Sequence, residues 1–144
     1  MEAKKTILIV DDESGPRESL KMILKPFYNV ETAEDGPQAL QVMQKKQVDL
    51  VTLDLRMPKM QGEEVLNQIK EKYPETEVLI ITGNGTLKNA IDLIQKGAVG
   101  YELKPFNIVE VVTNISRTLE RREKLDGLKN VFKQNPSMLN EGHA

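Results

Sequence analysis

Residues 6–13 read TILIVDDE, five apolar or β-branched residues that end in three consecutive acids. A run with no polar face reads as a short strand covered on both sides, which is how strands sit in a parallel sheet. The acids are the harder part. Carboxylates this close repel one another, and burial makes each ionised group costlier still. Asp11, Asp12 and Glu13 therefore need a cation or a ligand at the end of that strand.

Outward from this strand, the same punctuation recurs. Ser14 to Lys25 is predicted helical, with Ser14 as the cap, Pro16 in the first turn, and Leu20, Ile23 and Leu24 on one face. Tyr28–Glu31 reads as a second strand, residues 34–37 (EDGP) as a turn, and Ala39 to Lys46 as a helix with Ala39, Leu40 and Met43 inward. Asp49–Leu53 is a third strand, ending at Asp54, and a loop containing Pro58 leads to a helix over Gly62 to Lys72 with the stripe Val65, Leu66, Ile69. Val78–Ile81 is a fourth strand, ending at Thr82, and Thr86 to Gln95 a helix capped by Gly97. Val99–Leu103 is a fifth strand stopped by Pro105, and a long helix begins near Asn107. Strand and helix alternate five times, which predicts an α/β fold: a doubly wound parallel sheet with helices on both faces. Ligands of such sheets bind outside the carboxyl ends of the strands.

Composition narrows the chemistry. The chain has 144 residues, 39% hydrophobic and 29% charged, an ordinary globular balance for one domain. A net charge of -2 gives no basic bias toward nucleic acid or anionic lipid. There is no cysteine, which removes disulfides and thiolate chemistry, and the single histidine, His143, lies at the extreme end. No apolar run is long enough to span a membrane, and MEAKK leads straight into the first strand without a signal-peptide pattern, so the expected location is cytoplasmic.

Asp11-Asp12, Asp54, Thr82 and Lys104 all fall at carboxyl ends of strands. If the first and third strands are neighbours, three carboxylates converge in one crevice. Such a set suits Mg²⁺, which takes hard oxygen ligands and often shares them with a phosphate. An ammonium and a hydroxyl beside it would neutralise and hydrogen-bond a phosphoryl group, and one carboxylate could itself be the nucleophile. Singly, each residue has a plainer explanation: a turn or capping Asp, turn chemistry at Thr82-Gly83, a strand terminator at Lys104-Pro105. Their joint placement at four strand ends favours the site. Residues 83–85 (GNG) do not have dinucleotide-fingerprint spacing, and no GxxxxGK[ST] loop is present.

With these residues in place, the sequence resembles the receiver domain of two-component response regulators. The matching stretches are ILIVDDE (7–13), LDLRMPKMQG (53–62), IITGNG (80–85) and GYELKPF (100–106), in order and at the right spacing. The resemblance covers Lys5 to about Arg121 and implies a flavodoxin-like five-stranded sheet of order 2-1-3-4-5. It implies that Asp54 is the phosphoacceptor, and that Mg²⁺ is held directly by Asp12 and Asp54, through water by Asp11, and by the backbone carbonyl of Arg56. Lys104 would contact the phosphoryl group and precede a cis Pro105. Thr82 and Tyr101 would form a switch pair: Thr82 moves to the phosphoryl group and Tyr101 swings inward to fill the vacated space. The flanking positions Arg56 and Asn84 would tune phosphoryl lifetime, Arg56 either approaching the phosphoryl group or facing solvent. The donor would be a sensor histidine kinase. The protein would act as a phosphoacceptor with self-phosphotransfer and slow autodephosphorylation rather than as an enzyme.

The region around GYELKPF and its helical continuation is more similar to receivers attached to NtrC-type activators. Val99-Gly100-Tyr101 lacks the acid that many receivers carry before this aromatic for pairing through the fourth helix and fifth strand, which argues against that dimer mode. The expected division is a receiver domain over 1–121 and a helical linker or tail over 122–144, disordered from Met138. Leu125, Leu128 and Phe132 keep a 3-4 spacing that suits a coiled-coil seam between two chains, interrupted by Gly127. Two alternatives stand beside the switch. One is a phosphorylation-independent binding module of receiver fold, against which the complete set of acids, threonine and lysine argues. The other is an aspartyl-phosphate phosphatase, against which Arg56 argues, because those enzymes place a second Asp two residues after the nucleophile.

Overall fold

The computed structural model describes residues 3–83 and 85–137. Strands β1 (Thr6–Val10), β2 (Asn29–Ala33), β3 (Leu50–Leu53), β4 (Glu77–Thr82) and β5 (Gly100–Leu103) alternate with helices α1 (Ser14–Leu24), α2 (Gly36–Lys45), α3 (Gly62–Lys72), α4 (Leu87–Gln95) and α5 (Ile108–Gln134). All pairings are parallel and the sheet order is β2-β1-β3-β4-β5. The order reverses between β1 and β3, which is where the crevice opens.

The unbroken apolar character of β1 is explained by the two cores it serves. Successive side chains point to opposite faces. Leu8 and Val10 join Val51, Leu53, Val78 and Ile80 against α2, α3 and α4. Ile7 and Ile9 join Leu50, Leu79 and Ile81 against Leu20 and Leu24 of α1 and Val111, Ile115 and Leu119 of α5. The apolar stripe Val65, Leu66 and Ile69 on α3 is fully buried.

Several boundaries differ from the sequence reading. β2 runs Asn29–Ala33 rather than Tyr28–Glu31, because it must reach Ala33 to pair with Val10, while the Tyr28 amide is taken by the Leu24 carbonyl at the end of α1. Residues 34–37 are not a free turn but the start of α2. Asp35 is its cap, accepting from the Gln38 amide at 2.8 Å, and Pro37 fits the first turn, where no amide is needed. Glu13 rather than Ser14 occupies the cap position of α1, with no side-chain capping bond. Gly97 follows α4 with φ +110. Helix α5 has 27 residues, about 40 Å at 1.5 Å per residue. Leu119 is its last buried apolar residue, and Leu125, Leu128 and Val131 are exposed beyond it. The expectations for Met138 to Ala144, and those for His143 and Asn84, lie outside the described residues.

Candidate functional site

The crevice is built from the ends of four strands. β1 delivers Asp11, β3 Asp54, β4 Thr82 and β5 Lys104, and the first three are buried at 4%, 4% and 0% exposure. Parallel register places Val10 beside Leu53, so the following residues leave the sheet together, and the Asp54 amide donates to the Val10 carbonyl at 3.1 Å. Asp54 is the centre of the site. Its Oδ1 accepts from the Thr82 hydroxyl at 2.9 Å and the Arg56 amide at 3.1 Å, and its Oδ2 lies 2.8 Å from Lys104 Nζ. Lys104 also reaches Asp11 Oδ2 at 2.8 Å and Glu13 Oε1 at 3.2 Å, and the Lys104–Pro105 peptide is cis.

Burial alone would lower the Lys104 pKa, but the hydrogen bonds and charges of Asp11 and Asp54 outweigh it and hold the ammonium well above its ordinary range. Asp11 is shifted the other way from what its partners favour. Burial raises its carboxyl pKa, the Lys104 ammonium and the Glu13 amide oppose that rise, and the Asp54 charge adds to it. One cation thus serves two buried carboxylates and leaves the pocket short of positive charge.

Asp11, Asp12, Glu13 and Asp54 can each bring an oxygen within 4.8 Å of the others. The donors are all hard oxygens, two buried and two facing solvent, which suits Mg²⁺ with part of its water shell retained. Asp12 is exposed, whereas Asp11 is already engaged by Lys104 and by the Glu13 amide at 2.9 Å.

The structure brings Asp11, Asp54, Thr82 and Lys104 into direct contact, with Asp12 beside them. Tyr101 packs against the core formed with α2, α3 and α4, and its hydroxyl is enclosed without a hydrogen-bond partner among the described residues. Arg56 is exposed, and among the described residues its side chain makes no ion pair. Asn84 lies outside the described residues.

Two residues of the site escaped the sequence reading. Gly62 opens α3 against the phosphoacceptor loop; its amide donates to the Leu55 carbonyl at 2.9 Å, and a Cβ there would collide with the Asp54 backbone. Arg17 of α1 is buried at 8% exposure and donates to the Asp11 carbonyl at 2.9 Å. A clue existed for Arg17: with Leu20 and Leu24 inward, position 17 lies on the same helical face.

The family model of the response regulator receiver domain matches residues 7–116. A putative NtrX-like response regulator of Rickettsia bellii is 39% identical over 127 residues, covering 83% of this chain and 27% of that protein. The DNA-binding transcriptional regulator NtrC of Escherichia coli is 33% identical over 132 residues, covering 91% of this chain and 28% of that protein. The chain thus spans little more than a quarter of these relatives. A CheY-like receiver domain of Methanospirillum hungatei superposes with a TM-score of 0.81 at 31% identity, covering 85% of this chain and 98% of that one. Receiver domains are phosphoacceptors of two-component systems, phosphorylated by histidine kinases, and bind Mg²⁺ at an acidic pocket. No helix among the described residues is long and apolar enough to cross a membrane. On the match over 7–116, the sheet order and the acid, threonine and lysine set at the strand ends, this chain belongs to the response regulator receiver domain family.

Proposed function

We propose that the chain is a phosphorylation-dependent signalling switch that takes a phosphoryl group on Asp54 from a histidine kinase. The observation that carries this reading is the set of contacts around Asp54: a buried carboxylate with an ammonium 2.8 Å from one oxygen and a hydroxyl 2.9 Å from the other.

Asp12, Asp54 and the Arg56 carbonyl would hold Mg²⁺, with Asp11 acting through water. When bound, Mg²⁺ neutralises charge on the transferring phosphoryl oxygens. Asp54 supplies a carboxylate oxygen that bonds to phosphorus as the bond to the donor breaks. The departing group, the kinase imidazole, keeps the electron pair of that bond. Lys104 stays protonated throughout and balances the added charge on the product. The Thr82 hydroxyl, already turned to Asp54, donates to a phosphoryl oxygen. Slow loss of the phosphoryl group to water restores Asp54, with Arg56 and Asn84 as the positions that tune its rate.

Thr82 and Tyr101 form the switch. With the Thr82 hydroxyl turned to the phosphoryl group on Asp54, the space behind it is open for Tyr101. Phosphorylation then acts by population shift, removing the competing packing rather than creating a new one. The expected changes fall on the face of α4, β5 and α5. Residues 1–121 form the switch and 122–134 a helical linker. Leu125, Leu128 and Phe132, at 3-4 spacing, form a seam with a second copy of this chain. Its test is molar mass by light scattering across concentration, with Leu128→Glu expected to hold the chain monomeric.

The deciding experiment is intact mass after incubation with acetyl phosphate, with and without Mg²⁺, alongside Asp54→Ala. One phosphoryl group gained only with Mg²⁺, and only by the wild type, supports the switch. No gain, with kinase-driven transfer also absent, overturns it in favour of a phosphorylation-independent binding module.

A further inference from the structure

We infer that Arg17 is a positioning residue for the acidic site, fixing the backbone between Asp11 and Asp12 so that both carboxylates face the cation. This inference rests on the Mg²⁺ site proposed above.

Arg17 lies in the first turn of α1, where a positive charge opposes the helix dipole. Its guanidinium is nonetheless withdrawn from solvent, with 10% of the side chain exposed. An unfavourable placement of this kind needs compensating partners, and Arg17 has three, one of them Glu18 of the same helix, whose Oε1 lies 3.8 Å from Nε. Nη1 donates to the Asp11 carbonyl at 2.9 Å, and Nη2 lies 3.5 Å from Glu34 Oε1 in the loop after β2. The Asp11 amide is held from the other side by the Ala33 carbonyl at 3.1 Å. The peptide that precedes Asp11 is therefore fixed by β2, and the peptide between the buried Asp11 and the exposed Asp12 by Arg17. With the peptides on both sides of the Asp11 Cα held, the directions in which the Asp11 and Asp12 side chains leave the backbone are set. The planar fork of arginine suits this double attachment, and lysine would replace it with a single point charge.

Charge and position make opposite forecasts. Removing a nearby cation by itself strengthens binding of a second cation. Releasing a carboxylate pair from its outer support weakens it, roughly tenfold or more for supports of this kind. The experiment is a titration of the full chain with MgCl₂, followed by amide chemical shifts, for wild type, Arg17→Gln and Arg17→Lys, with thermal unfolding measured on the same samples. We expect Arg17→Gln to bind Mg²⁺ about tenfold more weakly, with Arg17→Lys in between. Unchanged or tighter binding by folded Arg17→Gln overturns the inference. If Arg17→Gln does not fold, Arg17→Lys decides, since its charge is intact and an affinity equal to wild type overturns the positioning role. A wild type that shows no Mg²⁺-dependent shifts at Asp11, Asp12 and Asp54 refutes the metal site itself, an outcome distinct from either result at Arg17.

Discussion

The Tyr101 hydroxyl occupies the position that a Cβ on Gly85 would take. The inward state of Tyr101 therefore depends on a glycine three residues past Thr82, in the loop between β4 and α4. Gly85→Ala should expel the ring and lower stability by about 1–3 kcal/mol, the usual cost of overpacking. Tyrosine fluorescence quenching by iodide should rise in this variant, and a solved structure with Tyr101 still inward would refute the dependence.

The same hydroxyl is enclosed without a partner among the described residues, and burial, with the Asp54 charge adding to it, raises its pKa. An unsatisfied buried hydroxyl costs on the order of 1–3 kcal/mol. Tyr101→Phe should thus be neutral or stabilising in the unphosphorylated chain, read as an unchanged or higher urea midpoint. A marked loss of stability would mean that the hydroxyl has a partner.

What could be read from the sequence divides along these lines. Strand ends were legible because β1, β3 and β4 stop where an apolar run meets Asp11, Asp54 and Thr82. The core was legible because α3 and α5 carry their stripes at helical spacing. The inward Tyr101 was not legible, because it depends on a steric gap at Gly85 that no local pattern records. Arg17 was missed because a cation in a first helical turn reads as a solvated residue, and only the fold brings the Asp11 carbonyl to it. The start of α2 was missed because the pattern of residues 34–37 serves a turn and a helix N-terminus equally well.

Asp11 and Lys104 set opposite ends of the pH response. The Asp11 pKa is raised, so its contribution is complete below the ordinary value of 3.8 and is lost as pH rises through the folded value. The Lys104 pKa is also raised, so its contribution is complete below 10.5 and is lost only as pH rises through its higher folded value. Asp11→Asn should therefore be more stable than wild type at neutral pH without Mg²⁺, with the difference vanishing below 3.8. Lys104→Met should lose on the order of 2 kcal/mol at neutral pH, since two buried carboxylates lose a charged hydrogen-bond donor. Urea midpoints across pH check both, and a neutral-pH midpoint for Asp11→Asn below wild type would reverse the sign argued for that carboxylate.

Mg²⁺ should relieve the same imbalance. A ligand that binds only the folded chain adds about 2.7 kcal/mol at a concentration one hundred times its dissociation constant. The melting temperature of the wild type should rise with MgCl₂, while Asp12→Ala and Asp54→Ala should respond weakly. An equal rise in all three would assign the effect to general salt screening.

Beyond Leu119, α5 is held by charge rather than by apolar packing. Arg122 Nη1 lies 3.1 Å from Glu77 Oε1 at the start of β4, Nη2 pairs with Glu75, and Lys129 Nζ lies 4.0 Å from Glu75 Oε1. Arg122 Nε is 3.4 Å from Asp126 Oδ1 but not aligned for a hydrogen bond, so that contact is coulombic only. Ion pairs near the surface contribute little to global stability, typically about 1 kcal/mol or less, and are screened by salt. Arg122→Met keeps much of the aliphatic stem and removes the charge. It should raise amide exchange over residues 123–134 at low protein concentration while leaving 108–119 protected, and high salt should do the same to the wild type. If a second chain covers Leu125 and Leu128, exchange in 123–134 should fall again as concentration rises. Protection that is independent of the substitution, of salt and of concentration would show that neither the ion pairs nor a partner chain holds the end of this helix.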